Sequence, residues 1–235
     1  MGSFTKADVR TQVVGNLGDP AKLTEQDIDQ HIDEAVLAYS QLSPNVKAYD
    51  YTGDGSTYDF TFPSDFVDGF SSLLSIEAPQ GEQIPIYLTQ TDWLFYRSTT
   101  SLKLRLLTIP ASSVVVRITY TAVHLVDSDD VSLSTVPSTD IHAIVYLATS
   151  RAALELAGEA VRQAKGGNSD IPFLPGPATD YRFLAQDYLR LYNEFMDVPL
   201  DGSKPGLWTS GSLPALPSWD SAPLIREQRN PIPSR

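Results

Sequence analysis

The chain has 235 residues, 42% of them hydrophobic, and sets 17 Lys and Arg against 29 Asp and Glu for a formal net charge of -12. That length and apolar content suffice for one or two compact domains, and the acidic balance argues against a body that grips nucleic acid phosphates, because such a grip needs cationic neutralisation. With no cysteine there is neither a disulfide nor a thiolate metal site. The first residues lack the apolar stretch of a signal peptide and no run approaches the ~18 apolar residues of a membrane span, so the expectation is a soluble protein made in the cytoplasm.

Two helices open the chain. Thr5 followed by Asp8 has the spacing of a cap with an acidic first turn, and Val9, Val13, Val14 and Leu17 supply an apolar face before Gly18, Asp19 and Pro20 stop it. Thr24 with Asp27 repeats the start signal, and Ile28, Ile32, Ala35, Val36, Tyr39 and Leu42 follow at helical spacing up to Pro44. The opposite face of this second helix carries Glu25, Asp29, Asp33 and Glu34, by default a solvated surface.

From residue 48 the apolar period shortens to two. Tyr58-Asp59-Phe60-Thr61-Phe62 alternates as a half-buried strand does, and the turn Thr52-Gly53-Asp54-Gly55-Ser56 predicts a hairpin between 48–51 and 58–62. Further strands are expected at 73–78, 84–88, 103–107 and 114–126, the last with Val114, Val116, Ile118 and Tyr120 on one face. The run 91–96 (TDWLFY) reads as one helical turn, with Trp93 packing into the β core. Short strands broken by Pro79-Gln80-Gly81 and by Ile109-Pro110-Ala111-Ser112 point to an antiparallel sandwich or small barrel.

Helix returns after Pro137, with Ser138 or Thr139 as the cap. Ile141, Ile144, Val145, Leu147, Ala148, Ala152, Leu154, Leu156 and Ala157 form a long Ala-rich helix ended by Lys165-Gly166-Gly167-Asn168. Thr179 starts a last helix, whose Tyr181, Leu184, Tyr188, Leu191, Tyr192 and Phe195 make an aromatic stripe that reads as core. The expected fold is α+β: a bundle of about four helices from 1–46 and 137–198, an inserted antiparallel β-sandwich or barrel-like domain at 47–136, and an extended C-terminal arm at 199–235.

The arm holds seven prolines and two of the chain's three tryptophans. Proline fixes φ and removes amide donors, so neither a long helix nor a central strand fits. A free linker would be rich in Gly and Ser or in charge. This segment instead spaces Leu207, Trp208, Leu213, Leu216, Trp219, Leu224 and Ile225 between turns, which suits an arm that docks on another surface. Ordering it costs roughly 1–2 kcal/mol per residue, and each buried Trp or Leu returns about 1.5–3 kcal/mol, so the anchors offset much of that cost only against a partner. The alternatives are a tail that wraps its own domain and one that stays disordered.

Sites for chemistry fail to assemble. His31, His124 and His142 share no motif; the Gly53-Asp54-Gly55 loop lacks the following Gly-Lys-Ser/Thr of a phosphate cradle; Asp50, Asp54 and Asp59 miss the spacing of a calcium loop. Asp127, Asp129 and Asp130 read as an acidic surface loop, and no Gly-x-Ser-x-Gly elbow occurs. The expectation is no enzyme, no cofactor and no metal. A competing reading is a β-sandwich ligand- or protein-binding module on a helical platform, with Tyr87, Trp93 and Tyr96 as the site, set against those rings simply filling the sandwich core.

Three stretches resemble the head–tail connector adaptors of tailed bacteriophages: ADVRTQVVGNLGDPAKLTEQDIDQHIDEAVLAYSQLSP at 7–44, YDYTGDGSTYDFTFPSDFVDGF with VVVRITYTAVH at 49–70 and 114–124, and STVPSTDIHAIVYLATSRAALELA at 134–157. The β region is similar to that of adaptors carrying an inserted β domain. The resemblance implies a virion neck protein, made in the host cytoplasm, forming a homo-oligomeric ring of about twelve copies beneath the portal protein. It implies DNA passing through without tight or sequence-specific binding, a further neck or tail protein as neighbour, and no membrane. It also implies that the arm docks on the portal; because buried aromatics dominate interfaces, Trp208 and Trp219 are the expected anchors, with Arg226, Arg229 and Arg235 making polar or charge-assisted contacts. Within that picture Asp29, Asp33 and Glu34 are candidates for an acidic channel lining that repels phosphates.

Overall fold

The computed structural model describes residues 4–18, 22–99, 101–166 and 176–197. Helices α1 (Lys6–Leu17) and α2 (Glu25–Leu42) each start with a capping box. Asp8 N donates to Thr5 Oγ1 and Thr5 N donates back to Asp8 Oδ2, at 3.3 and 2.8 Å; Thr24 and Asp27 repeat the exchange at 3.2 and 2.8 Å. Two otherwise orphaned amides are satisfied at each start; the bonds that Thr5 N and Oγ1 donate to Asp8, and that Thr24 Oγ1 and N donate to Asp27, hold both carboxyls below the ordinary aspartate range. Gly18 then leaves α1 at φ 79, a left-handed conformation that glycine adopts without a Cβ clash.

Helices α3 (Ile141–Gly166) and α4 (Pro177–Phe195) complete the set. Neither Ser138 nor Thr139 caps α3: residues Ser138–Asp140 form a single 3-10 turn, in which Asp140 N bonds Pro137 O at 2.9 Å and Thr139 Oγ1 donates to Asp140 Oδ1. Helix α4 begins at Pro177, ahead of the expected Thr179, because proline suits the first helical position, where its missing N–H has no partner to lose. The small residues of α3 let α4 come close. Ala148, Ala152 and Ala153 are fully buried, and Ser150 Oγ donates to Ala185 O at 2.8 Å. Val9, Val13, Ile28, Ile32, Tyr39, Ile144, Leu156, Ala185 and Tyr192 join one hydrophobic cluster drawn from all four helices, and Val126 and Val136 belong to it as well.

Between α2 and α3 lie six strands: β1 (Asn45–Thr52), β2 (Asp59–Thr61), β3 (Leu73–Glu77), β4 (Trp93–Arg97), β5 (Leu102–Leu106) and β6 (Val115–Ala122). They form two antiparallel three-stranded sheets, ordered β1-β6-β3 and β2-β5-β4. The hairpin expected across residues 52–56 does not form. Strand β1 pairs with β6 from Asn45↔Ala122 to Thr52↔Val115, and β2 pairs with β5, Phe60 opposite Leu104.

The turn itself explains the difference. Gly53 N donates to Val114 O, Ser113 N donates to Gly53 O, and Asp54 Oδ1 accepts from both Ser56 N and Thr57 N. The chain is thereby tied to the start of β6 and then bent towards the other sheet. Gly53 is needed there because a Cβ would lie 2.6 Å from Ala111 O.

The helical turn expected at 91–96 is also a strand. Thr89 N and Oγ1 both donate to Asp92 Oδ2, closing a turn just before Trp93, after which Trp93 and Phe95 face inward and Leu94 outward. The 84–88 segment supplies an isolated bridge, Glu77↔Tyr87, and Pro85 lacks the N–H that a longer ladder would use. A second hydrophobic cluster takes Phe60, Leu104 and Leu106 from one sheet and Ile76, Val116, Ile118, Tyr120 and Ala122 from the other, with Trp93 and Phe95 packed against it. Among the described residues the architecture is therefore mixed α+β, with four helices and two small sheets over separate apolar clusters.

Candidate interaction surfaces

The three histidines lie in different surroundings. His124 is buried where the chain leaves β6. Its N–H donates to Ser40 Oγ on α2 at 2.9 Å, its Nδ1 lies 3.1 Å from Thr135 Oγ1, and its ring packs 5.3 Å from that of Tyr39. Burial pushes its pKa below the ordinary value. The Tyr39 hydroxyl donates to Asp140, and burial raises its pKa to about 12. This polar clasp fastens α2, the return from β6 and the approach to α3 to one another. His31 Nε2 meets Glu155 Oε2 at 2.7 Å between α2 and α3, while its Nδ1 is buried without a partner among the described residues. His142 stacks on Tyr146.

Four acidic residues of α2, Glu25, Asp29, Asp33 and Glu34, are ion-paired across helices. Arg10 of α1 donates twice to Asp29, at 2.9 and 2.6 Å, and once to Glu25 at 3.2 Å. Lys6 reaches Asp33 at 2.7 Å, and Glu34 meets Arg151 of α3. Hydrogen bonds from Gln30 and then Arg151 hold the Glu34 carboxyl below its ordinary range. Asp29, Asp33 and Glu34 thus brace the bundle, and of the three Asp33 is the most exposed, at 63%.

The acidic loop before α3 is a local turn, in which Asp127 Oδ1 accepts from Asp129 N and Asp130 N. Asp50 pairs with Arg117, and Asp54 closes its own turn. Among the described residues no group of His, Asp and Glu is arranged to hold a metal ion, and no helix is long and apolar enough to cross a membrane.

Tyr87, Trp93 and Tyr96 do not converge. Trp93 is half-buried in the β cluster, Tyr87 is exposed on the 84–88 segment, and Tyr96 lies on the outer face of β2-β5-β4. That outer face holds the most developed surface constellation among the described residues. Arg105 donates through Nε and Nη2 to the two oxygens of Asp59, at 2.6 and 2.8 Å, and its guanidinium lies 4.7 Å from the ring centroids of both Tyr58 and Tyr96. Tyr96 donates to the same carboxylate at 2.8 Å. These hydrogen bonds, Arg105 first, hold Asp59 at about 2 and raise the pKa of Arg105. Sequence reading passed over Arg105; the available signal was the Leu102-Lys103-Leu104-Arg105-Leu106 alternation, which sends both cations to one face.

Every arm residue named from the sequence, from Leu207 to Arg235, lies outside the described residues. A family model described as SU10 adaptor protein matches residues 4–205, which takes in both apolar clusters and stops before Leu207. No curated protein matches the chain.

Proposed function

The chain belongs to the SU10 adaptor protein family of phage head–tail adaptors, and from that membership we propose that it forms a ring beneath the portal and carries the DNA channel on towards the tail. The observation that carries the reading is the extent of the match, which runs through the helical cluster and the β region together. Membership supports a structural role in the virion.

In this reading the helices of 1–46 and 137–198 are the body of each subunit, 47–136 is a β domain set into it, and 199–235 is the arm that docks on the portal. The extra α1–α2 and α2–α3 ion pairs and the Tyr39–His124 clasp support a stiff body. Stiffness suits a ring in which arms of modest affinity act together through a high effective concentration. DNA passes without being held: the net charge of -12 opposes retention, and Asp33, as the most exposed of the expected lining residues, is the strongest candidate to face the channel.

The test is binding of the full-length chain to the portal protein of its own phage, wild type against Trp208→Ala/Trp219→Ala. Docking through the arm predicts that the double variant keeps its fold and loses portal affinity by about 30-fold or more, as buried aromatic anchors do. Equal binding by both chains would move the joint to the body and sink the arm reading.

A further inference from the structure

The outer face of β2-β5-β4 is built in two rows. Register sets Leu94, Arg105 and Asp59 side by side across the strands, and Tyr96, Lys103 and Thr61 beside them. Arg105 is locked between two tyrosine rings and a carboxylate, so a partner contacting it meets a side chain whose rotamer freedom is already lost, which lowers the entropy cost of association. Tyr58 and Leu94 are exposed at 42% and 40%, giving apolar area around a charged centre. Tyr and Arg are the residues that dominate binding energy at interfaces.

We propose that this face is a contact between neighbouring copies of the chain, received by an acidic surface of the second copy. The inference rests on the ring reading above and adds the surface that joins its subunits. Charge complementarity selects the occupant. The face carries Lys103 and Arg105 with only Asp59 set against them, in a chain whose net charge is -12. Lys103 has the Thr61 hydroxyl at 3.3 Å and no ion pair among the described residues. Elsewhere Glu82, Asp129 and Asp130 are exposed, also without an ion pair among those residues. A closed ring joins two different patches, one from each neighbour, and a chain with a cationic sheet face and unpaired carboxylates elsewhere carries such a pair. A nucleic acid fits the face less well, because the Asp59 carboxylate sits beside Arg105 and meets the phosphates.

The experiment compares the full-length wild type with Leu94→Glu/Lys103→Glu by sedimentation velocity and native mass spectrometry, alone and with the portal protein, over a range of salt. Both substitutions are on the solvent side of the sheet, and thermal unfolding checks the fold. If the double variant unfolds early, Lys103→Glu alone carries the test. The expected result is a variant that still binds the portal but assembles into rings at least about tenfold more weakly, and a wild-type ring that weakens as salt rises. A variant that assembles like the wild type overturns the inference and leaves the ring intact. A wild type that never forms a ring, with or without portal, fails the underlying reading as well.

Discussion

Ser40→Ala removes one oxygen from the clasp between α2 and the chain leaving β6. Ser40 Oγ donates to Val36 O at 2.7 Å and accepts from His124 N at 2.9 Å, and both residues are buried. Val36 O, one helical turn before Ser40, keeps its place in the helix ladder when the hydroxyl goes. The His124 amide loses its acceptor in a buried site, which costs about 1–3 kcal/mol. Alanine recovers roughly 0.5 kcal/mol of helix propensity. The net expectation is a loss of about 1–2 kcal/mol, equivalent to a fall in Tm of roughly 2–8 °C for a chain of this size. Urea denaturation of Ser40→Ala beside Thr11→Ala, whose hydroxyl caps nothing buried, measures it; the control stays within about 0.5 kcal/mol of wild type. Amide exchange at His124 should accelerate in Ser40→Ala alone. A neutral or stabilising Ser40→Ala with unchanged exchange would refute the claim that this hydroxyl fastens the return strand to α2.

Gly53→Ala places a methyl group 2.6 Å from Ala111 O and 2.9 Å from Pro110 Cβ, forcing backbone to shift at a cost of about 1–3 kcal/mol; a Tm equal to wild type contradicts the close approach. His124 is held neutral by burial, below its ordinary 6.5. As pH falls through that value the unfolded chain takes up a proton the folded chain refuses, so stability is unaffected above it and declines from there down to the depressed folded pKa. The pH dependence of the urea midpoint should flatten in this window in His124→Gln, and an unchanged slope would remove His124 as its source. Asp59 acts at lower pH: its folded pKa of about 2 lies below the ordinary 3.8, so the stability it contributes is present above 3.8 and is lost as pH drops towards 2, a decline that Asp59→Asn should lack. Thr24→Ala opens the α2 capping box and should cost about 0.5–2 kcal/mol, read by the same denaturation series.

The helices were legible because their signals are local. Thr5 with Asp8 and Thr24 with Asp27 cap the starts that the sequence predicts, and the apolar spacing of Ile28, Ile32, Val36 and Tyr39 gives the buried face. Several strands were legible one by one, as Val116, Ile118 and Tyr120 illustrate, but β4 carries the signal of a helical turn, 84–88 yields only a bridge, and the pairing of the strands was not legible at all. A Gly-Asp-Gly turn between alternating runs favours a hairpin locally. Here long-range ladders win, with β1 lying against β6 some 70 residues away and Asp54 steering the chain to the other sheet. The outer-face constellation stayed hidden for the same reason: Asp59, Tyr96 and Arg105 come from three strands, with Tyr58 just ahead of β2, and only the sheet order reveals their neighbours. The pairing of Asp29, Asp33 and Glu34 was equally out of reach, since Arg10, Lys6 and Arg151 meet them across helix boundaries.

The central claim is that this chain is a ring-forming adaptor seated on a portal. Electron microscopy of the full-length protein mixed with the portal protein of its own phage tests it most directly. The account predicts a closed ring of the chain stacked coaxially on the portal with a continuous channel through both. Particles showing bare portals beside unassociated chain, at concentrations well above those of assembly in the virion, would contradict it.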